Sequence, residues 1–313
     1  MSDLTDRMKQ FAREASADLV GVASPDRFEG LPAEENPLSI FPEMTAAIVI
    51  GRRITRGTLR GLEEGTNQGL YDMFGYSWLD TQFVAMSTFE VVEWLEDQGW
   101  EAVPLFAFPP EVAPQGIPVR EGAVAPNVYP DMNKMAVCAG LAEMSWVRIA
   151  LTPEFGHRQR MQLILTDAPL EADPLLEADL CGMCMRCEEM CPLGALDRDD
   201  EETMVVAGRE YTVANVDYSK CRKCQNGARP NRYHPAGPPD RLGAVCMRTC
   251  MQMLEENEKL QTEFATPFRI REPWAIDVTG ELIDPSQVRI GPGAGTGCGD
   301  PEGFSEADRG ARM

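Results

Sequence analysis

The sequence predicts an α+β protein, with an α/β layer over residues 1–174, a cysteine-rich segment over 175–258 and a partly irregular extension over 259–313. Three observations carry this reading. Apolar residues alternate between helical and strand spacing through the first half of the chain. Near residue 175 the pattern changes to turns punctuated by cysteine. After Cys250 a last helical stretch, "MQMLEENEKL", runs into a tail rich in Pro and Gly.

In chain order, Leu4, Met8, Phe11, Ala12 and Ala15 have helical spacing, and "DLVGVA" and "AAIVIG" (46–51) read as strands. From Trp78, Leu79, Phe83, Met86, Phe89, Val92 and Leu95 form a second helical stripe that stops at Gly99, and this stripe is read as core. "EAVPLFAF" returns to strand character. Between Pro109 and Pro130 periodicity is lost, which predicts a long loop of the kind that often carries function. A helix around "MNKMAVCAGLAEM" and strands around "VRIALT" and "RMQLILTD" complete the layer. The tail's "GPGAGTGCGD" has glycines but no helical period after it, so it reads as a loop and not as a phosphate cradle.

The cysteines carry the chemistry. "CGMCMRCEEMCP" (181–192) is C-x₂-C-x₂-C-x₃-C-P, the bacterial iron–sulfur run in which three thiolates hold one [4Fe–4S] cluster and the fourth reaches a second. The second set follows as Cys221, Cys224, Cys246 and Cys250. Crossed ligation gives one cluster to Cys181, Cys184, Cys187 and Cys250, and the other to Cys191, Cys221, Cys224 and Cys246. Cys138 and Cys298 are left over. Disulfide frameworks suit small secreted chains, and zinc knuckles lack the crossed C-x₃-C-P, so two iron–sulfur clusters are the reading of choice.

Charge and segment patterns narrow the function. Fifty Asp and Glu against 29 Lys and Arg leave a net charge of −21, which disfavours DNA because phosphate binding needs clustered Lys and Arg. Most of that acidity reads as a solvated surface; docking of a basic electron donor is the sharper alternative. The first 30 residues lack an apolar export core and a twin arginine, and no stretch reaches 18 apolar residues, so a cytoplasmic protein without a membrane partner is expected.

The segment "NKMAVCAGLAEMSWVRIALTPEFGHRQRMQLILTDAPLEADPL" (133–175), just ahead of the cysteine run, resembles the reductive dehalogenase family, whose members carry an A-G-L-G-E segment, "TPEFG" or a near equivalent, and T-D-x-P-L. Epoxyqueuosine reductases share that architecture. The resemblance covers roughly 120 residues through the second cysteine set and implies a nitroreductase-like α/β domain holding base-off cobalamin beside a two-cluster ferredoxin-like domain. The implied reaction is reductive removal of halide from a small organohalide, with electrons from an external low-potential donor such as ferredoxin or flavodoxin. A cofactor of this kind normally carries such chemistry, and the chain has no nicotinamide fingerprint. The epoxyqueuosine-reductase-like enzyme and a plain two-cluster electron carrier are the alternatives.

The resemblance also implies site residues. Corrinoid contacts would come from Ala139, Gly140, Leu141 and Glu143, and from Pro153, Phe155 and Gly156. Departures from the family pattern are Ala142, Trp146 where an Arg often follows, and the missing proline after the last cysteine. Neither "RYHPAG" around His234 nor "FGHRQR" around His157 completes D-x-H-x-x-G, so a histidine ligand to cobalt is not expected. The proton donor would be a tyrosine, Tyr76 or Tyr129, tuned by Arg148 or Lys134, with Asp131 the acid if the chain follows the epoxyqueuosine reductases.

Overall fold

A computed structural model describes residues 3–110, 112, 116–277 and 279–288. Cys298 and the "GPGAGTGCGD" segment lie outside them, with the rest of residues 289–313. Helix α1 (Asp3–Glu14) has Asp3 and Asp6 in its first turn and Arg13 in its last, charges that complement the helix dipole. It leads to β1 (Leu19–Ala23), β2 (Ala46–Arg53), a short α2 (Arg60–Glu63), α3 (Ala85–Asp97) and β3 (Ala102–Leu105). Then come α4 (Met132–Cys138), β4 (Glu143–Met144), β5 (Ala150–Leu151) and β6 (Gln159–Thr166).

These elements form a four-stranded sheet in the order β1-β2-β6-β3, antiparallel throughout, with Val22 opposite Ile48 and Ile48 opposite Ile164. The unbroken apolar run of β2 reflects cover on both faces. Ile48 and Ile50 pack with Met8 and Ala12 of α1 and with Val91, Val92 and Leu95 of α3. On the other face, Ala47 and Val49 pack with Met135, Ala136 and Phe28.

Two departures from the sequence reading concern helices. The stretch before α3 is wound as a π-helix over Tyr71–Ser77 and again over Leu79–Val84. Within it and α3, Leu79, Val92 and Leu95 are core as expected, but Met86 and Phe89 are exposed. The strand expected over "VRIALT" is only the two residues of β5, because Arg148 takes a left-handed φ of 61° that extended pairing cannot use.

The cysteine-rich half contains α5 (Arg186–Glu189), a β7–β8 hairpin (Glu201–Val206 and Arg209–Ala214), α6 (Tyr218–Cys221) and α7 (Val245–Glu256). The hairpin was unread in the sequence, although its Ala207-Gly208 turn, at φ of 49° and 73°, is a local signal for it. Helix α7 starts before Cys246 and not after Cys250, so both cysteines ride on one helix, one turn apart. Arg248, between them, is buried and donates from Nε to the buried Glu63 at 2.7 Å, tying α7 to α2. Two-residue strands β9 (Ala275–Ile276) and β10 (Leu282–Ile283) follow.

Candidate active site

A cavity of about 320 Å³ lies where the π-helical stretch, β6, the start of α4 and the 231–242 segment meet. The helix winding explains why the first of these supplies several polar groups. Tyr71, Tyr76 and Asp80 are five and four residues apart. At a π-helix's roughly 4.4 residues per turn that spacing keeps them on one face, whereas α-helical winding would fan them apart. All three are buried.

Arg160, from β6, is the hub of their charge network. Its Nη2 donates to Tyr71 Oη at 3.0 Å and to Asp240 Oδ2 at 2.9 Å, and its Nε donates to the Gly75 carbonyl at 3.0 Å. Tyr71 Oη donates to Asp240 Oδ2 at 2.5 Å, and Tyr233 Oη donates to Asp80 Oδ2 at 2.5 Å. The Arg160 guanidinium also sits 4.5 Å from the Tyr76 ring centroid. Burial pushes the Asp80 carboxyl up, and burial together with Asp80 raises the Tyr233 phenol. Tyr76 is pushed up to about 12 by burial and by Asp240, with Arg160 opposing. The Tyr76 hydroxyl accepts from the Arg232 amide at 3.0 Å, so its own proton is not spent in that bond.

Of the five acid–base candidates named from sequence, Tyr76, Asp131, Lys134 and Arg148 line the cavity and Tyr129 does not. The Tyr129 ring instead packs on Phe108 with centroids 5.1 Å apart. The expected tuning cations are engaged elsewhere: Lys134 Nζ donates to Glu35 at 2.6 Å, and Arg148 pairs with Glu202 and donates to the Ala214 carbonyl at 2.7 Å. The cations at Tyr76 are Arg160 and, 5.5 Å from the ring centroid, Arg232. Asp131 caps α4, accepting from the Asn133 amide at 2.8 Å. Sequence reasoning missed Tyr71, Asp80, Arg160, Tyr233 and Asp240, because none belongs to a motif and only the π winding and the return of the 231–242 segment bring them together.

The thiols gather as two foursomes. Cys250, half-buried on α7, has its thiol raised by desolvation and then by Cys187, Cys181 and Cys184. Cys246, one turn earlier, is raised by burial and by Cys191, Cys224 and Cys221. Backbone amides point at sulfur in both sets: Trp146 N lies 3.4 Å from Cys181 Sγ, and Ala195 N lies 3.2 Å from Cys191 Sγ. All-thiol sets of four with amide donors suit [4Fe–4S] clusters. Among the described residues no group of three or more His, Cys, Asp or Glu is arranged to hold a single metal ion. Cys138 is buried between Arg27 and α4, apart from both sets, with its thiol pushed up to about 12 by burial.

None of the seven residues expected to contact a corrinoid lines the cavity. Glu143, Pro153 and Gly156 join the sheet half to later parts of the chain, and Ala139, Gly140, Leu141 and Phe155 lie against Gly21, Pro174 and Arg53 of the sheet half itself. Glu143 accepts from the amides of Leu180 at 2.6 Å and Cys181 at 3.3 Å. Gly140 has φ 72°, and a Cβ there would stand 2.2 Å from the Pro174 carbonyl; Ala139 and Leu141 close over Gly21 of β1. The Pro153 carbonyl accepts from Gln261 N at 2.8 Å, Phe155 lies under Arg53, and Gly156, at φ 61°, lets Met251 and Leu254 of α7 approach its backbone. Neither histidine lines the cavity: His157 is buried, pushed down to about 3 by burial and by Arg158, and His234 Nδ1 accepts from the Ala236 amide.

No family model matches the chain. It is 30% identical over 97 residues to tetrachloroethene reductive dehalogenases of Dehalobacter restrictus and of Desulfitobacterium hafniense, an alignment that takes in 28% of this chain and 18% of each of those proteins. The chain thus matches about a fifth of the length of these curated relatives. Among solved structures, a catabolic reductive dehalogenase in complex with 3-bromo-4-hydroxybenzoic acid is similar over 78% of this chain and 31% of that one, at 20% identity and a TM-score of 0.47. An epoxyqueuosine reductase with a tRNA stem loop is similar over 70% of this chain and 56% of that one, at 17% identity and a TM-score of 0.42. Over those 97 aligned residues the chain is similar to the reductive dehalogenases.

Proposed function

We propose that the chain is a reductive dehalogenase that replaces halide by hydrogen in a small organohalide, R–X + 2 e⁻ + H⁺ → R–H + X⁻. The observation that carries this reading is that one cavity has a buried phenol on one wall and the cysteine-rich half on another. Arg241 lines the cavity and lies close enough to Cys221 and Cys246 to lower their thiol pKa values against burial. Electrons held at the Cys246 foursome would therefore stand beside the substrate.

The two foursomes would hold the two [4Fe–4S] clusters, and a base-off corrinoid, when bound, would supply the low-valent metal that accepts single electrons. The chain's own residues do the rest. Tyr76, protonated at neutral pH, holds the proton that R–H needs. Arg160 keeps the phenol in place, and its charge stabilises the phenolate left after transfer. Asp240 restrains that help, so the phenol stays a donor and not an anion at rest. The reading also includes an external low-potential donor and a location inside the cell; among the described residues no helix is long and apolar enough to cross a membrane.

Asp131 on the cavity wall favours a second reading, an epoxyqueuosine-reductase-like reduction with a carboxyl donor. Anaerobic reconstitution with iron, sulfide and cobalamin, followed by electron paramagnetic resonance and turnover of halogenated phenols, tests the assignment. Two reducible cluster signals with a cob(II)alamin signal and halide release are the expected result. Clusters without corrinoid binding would leave only an electron carrier.

A further inference from the structure

The helix that carries the cavity residues is bare on its other side. Leu70, Phe74 and Trp78 follow at four-residue intervals, and Met86 and Phe89 continue the same line into α3. Phe74 is 47% exposed, Met86 61% and Phe89 55%, on a helix whose opposite face is fully buried. A contiguous apolar strip of this length on a protein of net charge −21 marks a surface that is covered in use. The strip is also preformed, since the Phe74 and Trp78 rings meet edge to face at 5.4 Å.

Its charges say what covers it. At the strip's start, Arg52 and Arg53 of β2 border the groove that contains Leu70 and Phe74; Asp18 in the same groove pairs with Arg53 at 3.6 Å, which leaves Arg52 as the uncompensated charge there. At its end, Glu90 and Glu93 border the groove that contains Met86 and Phe89. Basic at one end, apolar along its length and acidic at the other, the strip is complementary to itself when reversed.

We infer that the 70–93 strip is the interface of a two-fold symmetric dimer, in which the helix of a second copy packs antiparallel about Gln82. A two-fold axis makes each contact occur twice, so residue i meets j while j meets i. Reversal places the Arg52 end of each copy on the Glu93 end of the other and stacks Phe74 and Trp78 against Met86 and Phe89. A basic protein partner would find only one end complementary. An anionic lipid surface would be repelled by the acidic end and by the overall charge.

The test is sedimentation velocity of the full chain, cluster-loaded, across the micromolar range. A concentration-dependent dimer is expected, and Phe89→Glu or Met86→Glu should raise its dissociation constant at least about tenfold while leaving cluster absorbance unchanged. Glu93→Arg alone should weaken the dimer, and Arg52→Glu combined with Glu93→Arg should restore it, because the pair regains opposite charges in swapped positions. A wild-type chain that stays monomeric throughout overturns the inference. So does a dimer indifferent to Phe89→Glu, or one that the double charge swap fails to restore.

Discussion

Tyr76 and Tyr129 are both proton-donor candidates from the sequence, yet their surroundings differ. Tyr76 is buried on the cavity wall against Arg160, and Tyr129 is stacked on Phe108 outside it. We expect Tyr76→Phe to lower dehalogenation by about 10²- to 10⁴-fold, the usual value of a general acid, with both clusters retained, and Tyr129→Phe to keep near-normal turnover; steady-state halide release measures both. Equal turnover in wild type and Tyr76→Phe would remove the phenol from the mechanism. His157 offers a test that does not depend on activity. Its folded-state pKa of about 3 lies below the ordinary 6.5, so the unfolded chain takes up a proton that the native one refuses. Stability is therefore greatest above about pH 6.5 and falls as pH drops from there toward 3, by up to a few kcal/mol. Denaturant midpoints between about pH 7.5 and about pH 5.5 should drop more steeply for wild type than for His157→Gln; parallel slopes would show that the imidazole is not buried as described.

At the scale of elements, what could be read from sequence was what repeats or alternates. The strands β1, β2 and β6 are apolar runs, and the cysteine spacing names its own chemistry. The π-helix was not legible, because a periodicity of 3.6 fits its apolar residues almost as well as a slightly longer one does. Of the five unread polar residues, Tyr71 and Asp80 follow from that same miss, while Arg160 comes from β6 and Tyr233 and Asp240 from the 231–242 segment. The family-like segment also marks residues that the fold itself needs: Glu143 and Gly156 serve the joint between halves, and Gly140 lets the Pro174 carbonyl come close. The winding itself can be tested. Deleting Ser77 should let the stretch revert to α-helical spacing, rotating Tyr71 away from Asp80; we expect loss of turnover of the same size as Tyr76→Phe, while helix content by circular dichroism is kept. Full activity in the deletion variant would show that the register does not matter.

For the whole molecule, the proposed clusters would give electrons a path from Cys184, exposed at the surface, through the Cys250 set to the Cys246 set beside the cavity. Crossed ligation makes a specific forecast. Cys191→Ala should damage the cluster of Cys221 and Cys224, and Cys250→Ala that of Cys181 and Cys184, as read by iron content and electron paramagnetic resonance; damage by Cys191→Ala to the Cys181 cluster would reverse the assignment. The joint has a further consequence for how this chain can be taken apart. Leu151 of the sheet half shares a core with Leu180, Met251, Leu254 and Leu260, and Val147 and Ile149 share another with Cys246 and Met247. A gene fragment starting at residue 175 would lose Leu151 from one core and Trp146, Val147 and Ile149 from the other, so the cysteine-rich segment is not a portable cassette. Grafted onto another scaffold it would need the 143–156 stretch transplanted with it, and swaps between relatives should succeed when the crossover point lies before that stretch and fail when it lies after.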